Sequence, residues 1–406
     1  MSIGNGWHQV PLPEAFWFQE GPGVRKWQFT KTGIKLLNVG NIEKDGSLNL
    51  AKTERHLATD EVKQKYSHFL VDAGDLVVAS SGISFDSDGL LRTRGGFVEE
   101  KHLPLCLNTS TIRFKAIPGL SDLRFLRLWL DSREFRSQIT RLVTGTAQQN
   151  FGPSHLKATK ISLPPLSEQR RIAAILDKAD EVRTKRRAIV TQVDFLTASV
   201  FLALFGDPIQ NPDHWPERPF GQVCETRLGK MLDQKQQTGK HRRQYLRNAN
   251  VQWFRFDLSD VFEMDFDTDA QNIFRLHEGD LLICEGGEPG RCAIWHGEIN
   301  ECYYQKALHR ARPHKELAQP EYLNWLLWFL SKRGRLNDHV TSATIAHLTG
   351  EKLNAMMIPI PSITLQQEFS EWVNVLERLK DLHGTSLAEM DALFASLQHR
   401  AFRGEL

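Results

Sequence analysis

The chain has 406 residues, of which 41% are hydrophobic, and this is enough apolar material for two or three cores rather than one. The 51 basic and 49 acidic side chains leave a formal net charge of +2, which excludes a disordered polyelectrolyte and indicates no particular partner. Five scattered cysteines without a Cys-x-x-Cys pair, the lack of a leader and an apolar run at 195–205 too short for a bilayer predict a cytoplasmic protein with no membrane span.

The chain contains an internal repeat. A shift of 197 residues aligns 144–205 with 341–402 and gives 11 identities in 62 pairs, whereas unrelated sequence gives about four. Upstream, Gly74-Asp75-Leu76 resembles Gly279-Asp280-Leu281 at a shift of 205, and both indicate a turn that feeds a buried strand. We therefore predict two copies of one ancestral module, related by a pseudo-two-fold axis.

Each copy begins with a mixed segment and ends with a long helix. The mixed segments combine short β-branched runs, such as 111–114, with one apolar helix, at 123–130 in the first copy and 322–330 in the second. Prolines then hold the chain extended before Ser167 and Thr364, which we expect to cap the long helices. The predicted fold class is α+β, with target segments and helices divided as 1–163, 164–206, 207–361 and 362–406.

Apolar residues in both long helices recur in alternating steps of three and four, which is a heptad pattern. One such stripe equally fits a core helix, but two matching stripes favour an antiparallel coiled coil. Leu387 and Phe394 lie beside the second stripe and suggest additional surface for a docking protein. The residues predicted at this interface, including two polar residues at the start of the first helix, are Glu168, Gln169, Ile172, Ile175, Val182, Ile189, Val193, Leu196, Phe369, Trp372, Leu376, Leu379, Met390 and Leu393.

Catalytic motifs are lacking. The sequence has no phosphate-binding glycine loop, no zinc-protease helix and no nucleophile elbow, so no catalytic residue is predicted. Cys284, Cys292, His296 and Cys302 are residue types that bind zinc, but they lack the closely spaced pair of a structural site. We predict buried thiols on neighbouring strands there, and neither a metal nor a cofactor in this chain.

Local charge suggests where phosphates bind. The segment 227–247 of the second copy is strongly basic, whereas the acidic residues of that copy cluster at 257–269. Residues 25–65 of the first copy show the same basic excess more weakly. Taken alone, such a charge run is better explained as a solvated surface than as a nucleic-acid site, but the duplication of the modules raises the case for DNA. The predicted phosphate contacts are Lys35, Lys52, Arg242, Arg243 and Arg247.

Two corresponding loops have side chains suited to base reading. Gln148, Gln149 and Asn150 can bind adenine through their amides, and the matching loop of the second copy contains Thr344 and His347. Different contents at corresponding positions are what two readers of different half-sites require. The alternative is a polar connection with no bound partner.

The run from Ile161 to Asp177, ISLPPLSEQRRIAAILD, resembles the entry to the central helix in the specificity subunits of type I restriction-modification systems. The Gly-Asp-Leu turns, the Thr-Gly segment at 144–145 and the C-terminal AFRGEL are similar to further landmarks of that family, so the resemblance covers the whole chain. The second helix departs from the pattern, because Leu365 replaces the glutamate found at Glu168.

The resemblance implies a non-catalytic subunit that recognises double-stranded DNA. Two target-recognition domains would each read half of a bipartite site, and the helix pair would set the spacing. Two methyltransferase (modification) subunits, which bind S-adenosylmethionine, would dock on it, joined in complete assemblies by two restriction or translocase subunits. The rival hypothesis is a coiled-coil scaffold that joins proteins without reading DNA.

Overall fold

The computed structural model describes residues 6–82, 84–86, 88–143, 150–233, 238–336 and 347–406. The chain forms two compact units, Met1–Arg186 with Ser386–Leu406, and Arg187–Thr385. Two long helices run through this division, the central helix Leu166–Phe205 and the C-terminal helix Ile363–Ala401. Each unit therefore combines one mixed segment with part of both helices.

The first unit contains two four-stranded sheets and a two-stranded ribbon. In spatial order the first sheet comprises Phe16–Glu20, Thr111–Ala116, Leu76–Ala79 and Gly95–Phe97, and the second comprises Phe29–Thr30, His56–Leu57, Ile34–Leu36 and Leu105–Cys106. His8–Pro11 pairs antiparallel with Lys160–Leu163 in the ribbon. The shorter α-helices are Leu12–Ala15, Thr59–Glu61, Leu123–Leu130, Arg133–Leu142 and Pro153–Lys157.

The second unit is built in the same way. Its four-stranded sheet comprises, in spatial order, Cys224–Leu228, Leu308–Pro313, Leu281–Cys284 and Cys292–Ile294. A three-stranded sheet contains Phe262–Asp265, Arg242–Leu246 and Tyr303–Tyr304, and the two ribbons pair Glu217–Pro219 with Met357–Pro359 and Val251–Gln252 with Arg255–Phe256. The shorter α-helices are Phe220–Val223, Thr268–Phe274, Pro320–Lys332 and Gly350–Ala355.

The four-stranded sheets confirm the predicted duplication. In both units the strands that come first, fourth, second and third along the chain lie side by side in that order. Every pairing is antiparallel. Each predicted Gly-Asp turn precedes the strand that is second along the chain in its sheet. Both glycines have positive φ, a backbone conformation that residues with a side chain rarely adopt. The buried Asp280 accepts two hydrogen bonds from Arg312, at 2.7 and 2.9 Å, which raise the pKa of that guanidinium.

The long helices contribute directly to both cores. In the first unit Phe402 packs on Phe125, with ring centroids 5.3 Å apart. In the second unit Phe205, the repeat equivalent of Phe402, packs on Tyr322, the equivalent of Phe125, with ring centroids 4.8 Å apart. Aromatic burial of this kind ties each helix to its sheet module. Cys284 and Cys292 are buried on neighbouring strands, as predicted.

Both long helices begin earlier than predicted. The central helix begins at Leu166, so Ser167 is inside its first turn rather than at the cap. The C-terminal helix begins at Ile363, and Ser362 rather than Thr364 precedes it, with its carbonyl accepting hydrogen bonds from Leu365 and Gln366. Proline cannot continue the strand ladder, and the chain turns into a helix directly after Pro165 in the first copy and one residue after Pro361 in the second.

By length and composition alone, one described helix is apolar enough to cross a membrane: the central helix, whose most apolar 18-residue stretch has a mean hydropathy of 1.8. Of that stretch 22% is buried. Thr197, Phe201 and Phe205 face the core of the second unit, so the stretch serves as a packing helix there. Several of its other apolar side chains, among them Phe195 and Leu196, face solvent.

Candidate nucleic-acid interface

A buried glutamine near the start of each long helix fixes the helix to its module. Gln169 donates to the carbonyl oxygens of Leu120 and Pro164 at 2.9 and 2.8 Å, and its own oxygen accepts from the Asp122 amide at 2.9 Å. Gln169 was predicted at the helix interface, but its side chain instead clamps the loop before a short helix. The Glu168 carboxylate binds Arg171, and this hydrogen bond lowers the pKa of Glu168.

The second unit repeats the clamp atom for atom. Gln366 donates to the carbonyl oxygens of Leu317 and Pro361 at 3.1 and 2.9 Å and accepts from the Gln319 amide at 3.0 Å. Each participant lies 197 residues after its counterpart in the first unit. The glutamine is therefore retained for positioning, whereas the glutamate that precedes it in the first copy is replaced by Leu365.

The helices pack antiparallel within each unit, as predicted. In the first unit Arg171 reaches the carbonyl oxygen of Leu406 while Arg183, farther along, reaches Asp391. In the second unit Lys380 contacts Asp194, and Phe369, earlier in its helix, contacts Phe205. Ascending positions on one helix thus meet descending positions on the other.

Several second positions of the predicted heptad stripe are displaced by one residue in the structure. The predicted Val182 and Leu196 are exposed, Leu196 by 50%, whereas Arg183 and Thr197 face inward, Thr197 with only 5% exposure. The first positions face the seam, with Ile172, Val193, Phe369 and Leu376 buried and Met390 half-buried, and the second position Ile189 is also half-buried. Ile175 is half-buried, but its neighbour Leu176 fills the seam.

The C-terminal helix shows the same displacement. Trp372, Leu379 and Leu393 are exposed, and the residues after them face the seam: Val373, Lys380 and Phe394. Leu387 and Phe394, predicted beside the stripe, are therefore part of it. The large apolar side chains that both helices expose are the five seam residues predicted one position too early, together with four others. They are Val182, Leu196, Trp372, Leu379 and Leu393, and Phe195, Leu202, Val375 and Leu382.

Two charged pairs explain the displacement. Arg183 Nε lies 2.7 Å from Asp391 Oδ1, and its guanidinium carbon lies 4.1 Å from the centre of the Phe394 ring. Lys380 Nζ lies 2.6 Å from Asp194 Oδ1. Both pairs are related by the shift of 197, because Arg183 matches Lys380 and Asp194 matches Asp391. A polar seam residue with a specific partner favours one helix register.

The two predicted reading loops return to their modules at equivalent points. After the first loop the Phe151 amide donates to the Ser80 carbonyl at 3.0 Å, and after the second the Leu348 amide donates to the Glu285 carbonyl at 2.7 Å. Ser80 and Glu285 directly follow the second strand of their sheets. Asn150 and His347, the residues just before these anchors, are both exposed. Gln148, Gln149 and Thr344 lie outside the described residues.

The basic segment of the second unit lies beside the acidic cluster. Strand Arg242–Leu246 pairs with Phe262–Asp265, which places Arg242 Nε 3.2 Å from Glu263. Arg247 lies 2.7 Å from Asp260 and stacks on Phe262, and Arg243 lies 3.9 Å from Glu301. The three predicted phosphate contacts thus already have acidic partners. The pair of Arg242 is exposed on both sides and therefore weak, so a phosphate can compete for this arginine, whereas Arg243 and Arg247 are half-buried.

The first unit contains the other two predicted phosphate contacts. Lys52 contacts Glu43 at 2.7 Å, and Lys35 extends from the central part of the small sheet. Sequence reasoning missed the preceding residues Arg25, Lys26 and Lys31, which are exposed, and the indole of Trp27 between them. The signal was available, because residues 21–42 contain four basic residues and no acidic one.

Comparison with known proteins identifies the family. The model of the type I restriction modification DNA specificity domain matches residues 27–192 and again 212–391. The chain belongs to this family. Each match lies within one of the two copies inferred from the repeat.

Several relatives share the similarity. The EcoKI specificity subunit of Escherichia coli K12 is 24% identical over 306 residues, which are 70% of this chain and 65% of that protein. The MjaVIII specificity subunit of Methanocaldococcus jannaschii is 24% identical over 192 residues, 47% of this chain and 44% of the relative. The matched part thus spans less than two thirds of these curated relatives.

Solved structures share the fold. A type I restriction-modification S subunit from M. genitalium has a TM-score of 0.55 at 18% identity, covering 99% of this chain and 98% of its own. A chain from a study of complex assembly and conformational transition of the type I R-M system has a TM-score of 0.59 at 17% identity, covering all of both chains. The α+β architecture with long helices is therefore that of this family.

Proposed function

We propose that the chain is the DNA sequence-recognition subunit of a type I restriction-modification complex. Each target-recognition domain, 1–163 and 207–361, reads one half of a bipartite target. The observation that carries the proposal is the pair of loops anchored at equivalent backbone positions, Phe151 to Ser80 and Leu348 to Glu285, within two modules of one design. Equivalent anchoring with different loop side chains suits two readers of different sequences.

Base reading is assigned to the two loops and phosphate contact to the basic side chains. Gln148, Gln149 and Asn150 would read one half-site, and Thr344 and His347 the other. Lys35, Lys52, Arg242, Arg243 and Arg247 would contact phosphates, so binding should weaken steeply with salt. We expect Gln149→Ala to change base preference in one half-site by about 1–3 kcal/mol and to leave the other unchanged.

The helical segments 164–206 and 362–406 would set the half-site spacing and dock two methyltransferase subunits. Support comes from their exposed apolar side chains, among them Phe195, Leu196, Trp372 and Leu382. The methyltransferase subunits would supply S-adenosylmethionine and catalysis, so this chain is proposed to be a non-catalytic cytoplasmic subunit. Two restriction or translocase subunits complete the proposed assembly.

Copurification followed by methylome sequencing tests the proposal. The chain should copurify with an adenine methyltransferase, and cells that contain both should carry methylated adenines in a two-part motif. A footprint should show two protected patches about one helical turn apart. Copurification without DNA protection would support the scaffold hypothesis instead.

Lengthening both helices tests the spacing role separately. Seven residues inserted after Arg186 and after His383, which are repeat equivalents, add about 10 Å to each helix. At 3.4 Å per base pair, the preferred gap should grow by about three base pairs. An unchanged gap would refute the role of the helices as a spacer.

A further inference from the structure

Trp27 is the most exposed large hydrophobic side chain in the described part of the chain, with 81% of its surface accessible. An exposed indole does not contribute the free energy that burying its large apolar surface would give, so its exposure suggests a role in binding. The side chain lies in a single helical turn, Lys26–Gln28, that precedes the small sheet of the first unit. It belongs to none of the clusters that form the core of that unit.

The backbone of this turn is held in place by hydrogen bonds of the buried Gln28 side chain. Gln28 is buried, and its amide nitrogen donates to Glu61 Oε1 at 2.8 Å and to the Tyr66 hydroxyl at 3.0 Å. Its amide oxygen accepts from the Arg25 backbone amide at 2.8 Å. A buried, fully engaged side chain directly beside Trp27 means that the indole projects from an ordered support.

Positive charge surrounds the indole in sequence. Arg25, Lys26 and Lys31 are exposed, and together with Lys35 they occur in a 22-residue stretch, 21–42, without an acidic residue. None of the four pairs with a carboxylate among the residues that the structure describes. In this they differ from the paired arginines of the second unit.

The second unit exposes apolar side chains at the corresponding place. Gly21 and Gly229 each directly follow the first strand of their sheet. A Cβ on Gly21 would lie 2.4 Å from the carbonyl oxygen of Asn108, and one on Gly229 would lie 2.3 Å from that of Gln305. Asn108 and Gln305 are themselves 197 residues apart, so the chain leaves both sheets at one equivalent point. Just beyond Gly229, Met231 is 62% exposed and Leu232 is also exposed.

We propose that Trp27 is a DNA-contacting residue, whose indole packs on a base or sugar face of duplex DNA while Arg25, Lys26 and Lys31 bind the adjacent phosphates. An aromatic face among unpaired cations is the chemistry that recognises nucleic acid, because stacking and phosphate neutralisation act side by side. Apolar side chains inserted at base steps are an established way for proteins to hold a duplex. This inference rests on the proposed function and adds a contact outside the two reading loops.

The test compares variants of the full-length chain binding a fluorescein-labelled 30-base-pair duplex of mixed sequence, by anisotropy between 50 and 200 mM salt. Trp27→Ala should weaken binding by about 5- to 150-fold at fixed salt and leave the salt dependence unchanged. Trp27→Phe should retain most of the affinity. The double variant Arg25→Gln/Lys26→Gln should instead reduce the slope of log affinity against log salt by about 1.8.

Leu120→Ala is the matched control, since Leu120 is an exposed apolar residue of the same unit and should bind DNA like the wild type. The melting temperature of Trp27→Ala should equal that of the wild type, because the indole buries little surface. Wild-type affinity in Trp27→Ala would overturn the inference while leaving the proposed function intact. Failure of the wild-type chain to bind the duplex even at 50 mM salt would also overturn the inference, whereas the proposed function is decided separately by the methylome and the footprint.

Discussion

Replacing Gln366 by alanine should destabilise the second unit far more than replacing its neighbour Gln367. The Gln366 side chain is fully buried, and its loss removes three hydrogen bonds, to the Leu317 and Pro361 carbonyls and from the Gln319 amide. Gln367 is the same residue type on the same helical turn but is exposed, so it serves as a matched control.

The magnitude follows from the backbone groups that lose their partner. The hydrogen bond that the Pro361 carbonyl accepts from Gln366 is buried, and leaving this carbonyl without a partner costs about 1–3 kcal/mol. The other two bonds are partly buried, so water replaces them in part and each costs about 0.5–1 kcal/mol. We therefore expect a loss of about 2–5 kcal/mol, or about 4–20 °C in Tm for a unit of this size.

Thermal unfolding followed by circular dichroism, with urea titration as a second measurement, gives the comparison. Gln366→Ala should lower the Tm of the transition in which the second unit unfolds by the stated amount. Gln367→Ala should change that Tm by about 1 °C or less, within the range of surface substitutions. Equal shifts for the two variants would refute the reasoning, because the clamp would then contribute nothing beyond helix propensity. Gln169→Ala should reproduce the effect in the first unit.

Three further predictions concern the first unit. A double-mutant cycle on Arg183 and Asp391, each changed to alanine, should give a coupling energy of about 0.5–1 kcal/mol by urea unfolding, and zero coupling would exclude a specific pair. Burial raises the pKa of Glu134 to about 7, so ionisation opposes folding and stability should fall between pH 4.5 and 7. Glu134→Gln should remove that dependence, and a profile parallel to the wild type would contradict it. Gly21→Ala should cost about 1–3 kcal/mol because its Cβ would strike the Asn108 backbone, whereas Gly23→Ala, with no atom within 4 Å, should be nearly neutral by calorimetry.

The repeat made much of the fold predictable. Helix Leu123–Leu130 was predicted with its observed bounds, and the Gly-Asp turns correctly located the second strand of each four-stranded sheet. These features depend on local signals that occur twice, so each copy supports the other. The antiparallel helix pairing followed from the same duplication.

The helix seam could not be placed to the residue. An apolar pattern favours Val182 and Leu196 over Arg183 and Thr197, because a sequence shows hydrophobicity but not the partner across the interface. Arg183 faces inward because Asp391 and the Phe394 ring receive its charge, and both lie about 200 residues away in the chain. The same limit hid the pairing of the arginine-rich strand with its acidic neighbour, since strand register is a long-range property.

The two copies differ in a way that separates support from recognition. Buried positions keep their chemistry, as in Gln169 and Gln366, and so do the charged pairs of the seam. Exposed positions at equivalent places differ, as in Asn150 and His347 before the loop anchors. If both copies bound one common partner surface, the exposed positions would be expected to match and the buried ones to vary as each core repacked. The opposite distribution favours two readers of different sequences, and exchanging Asn150 and His347 should then alter sequence preference without changing stability.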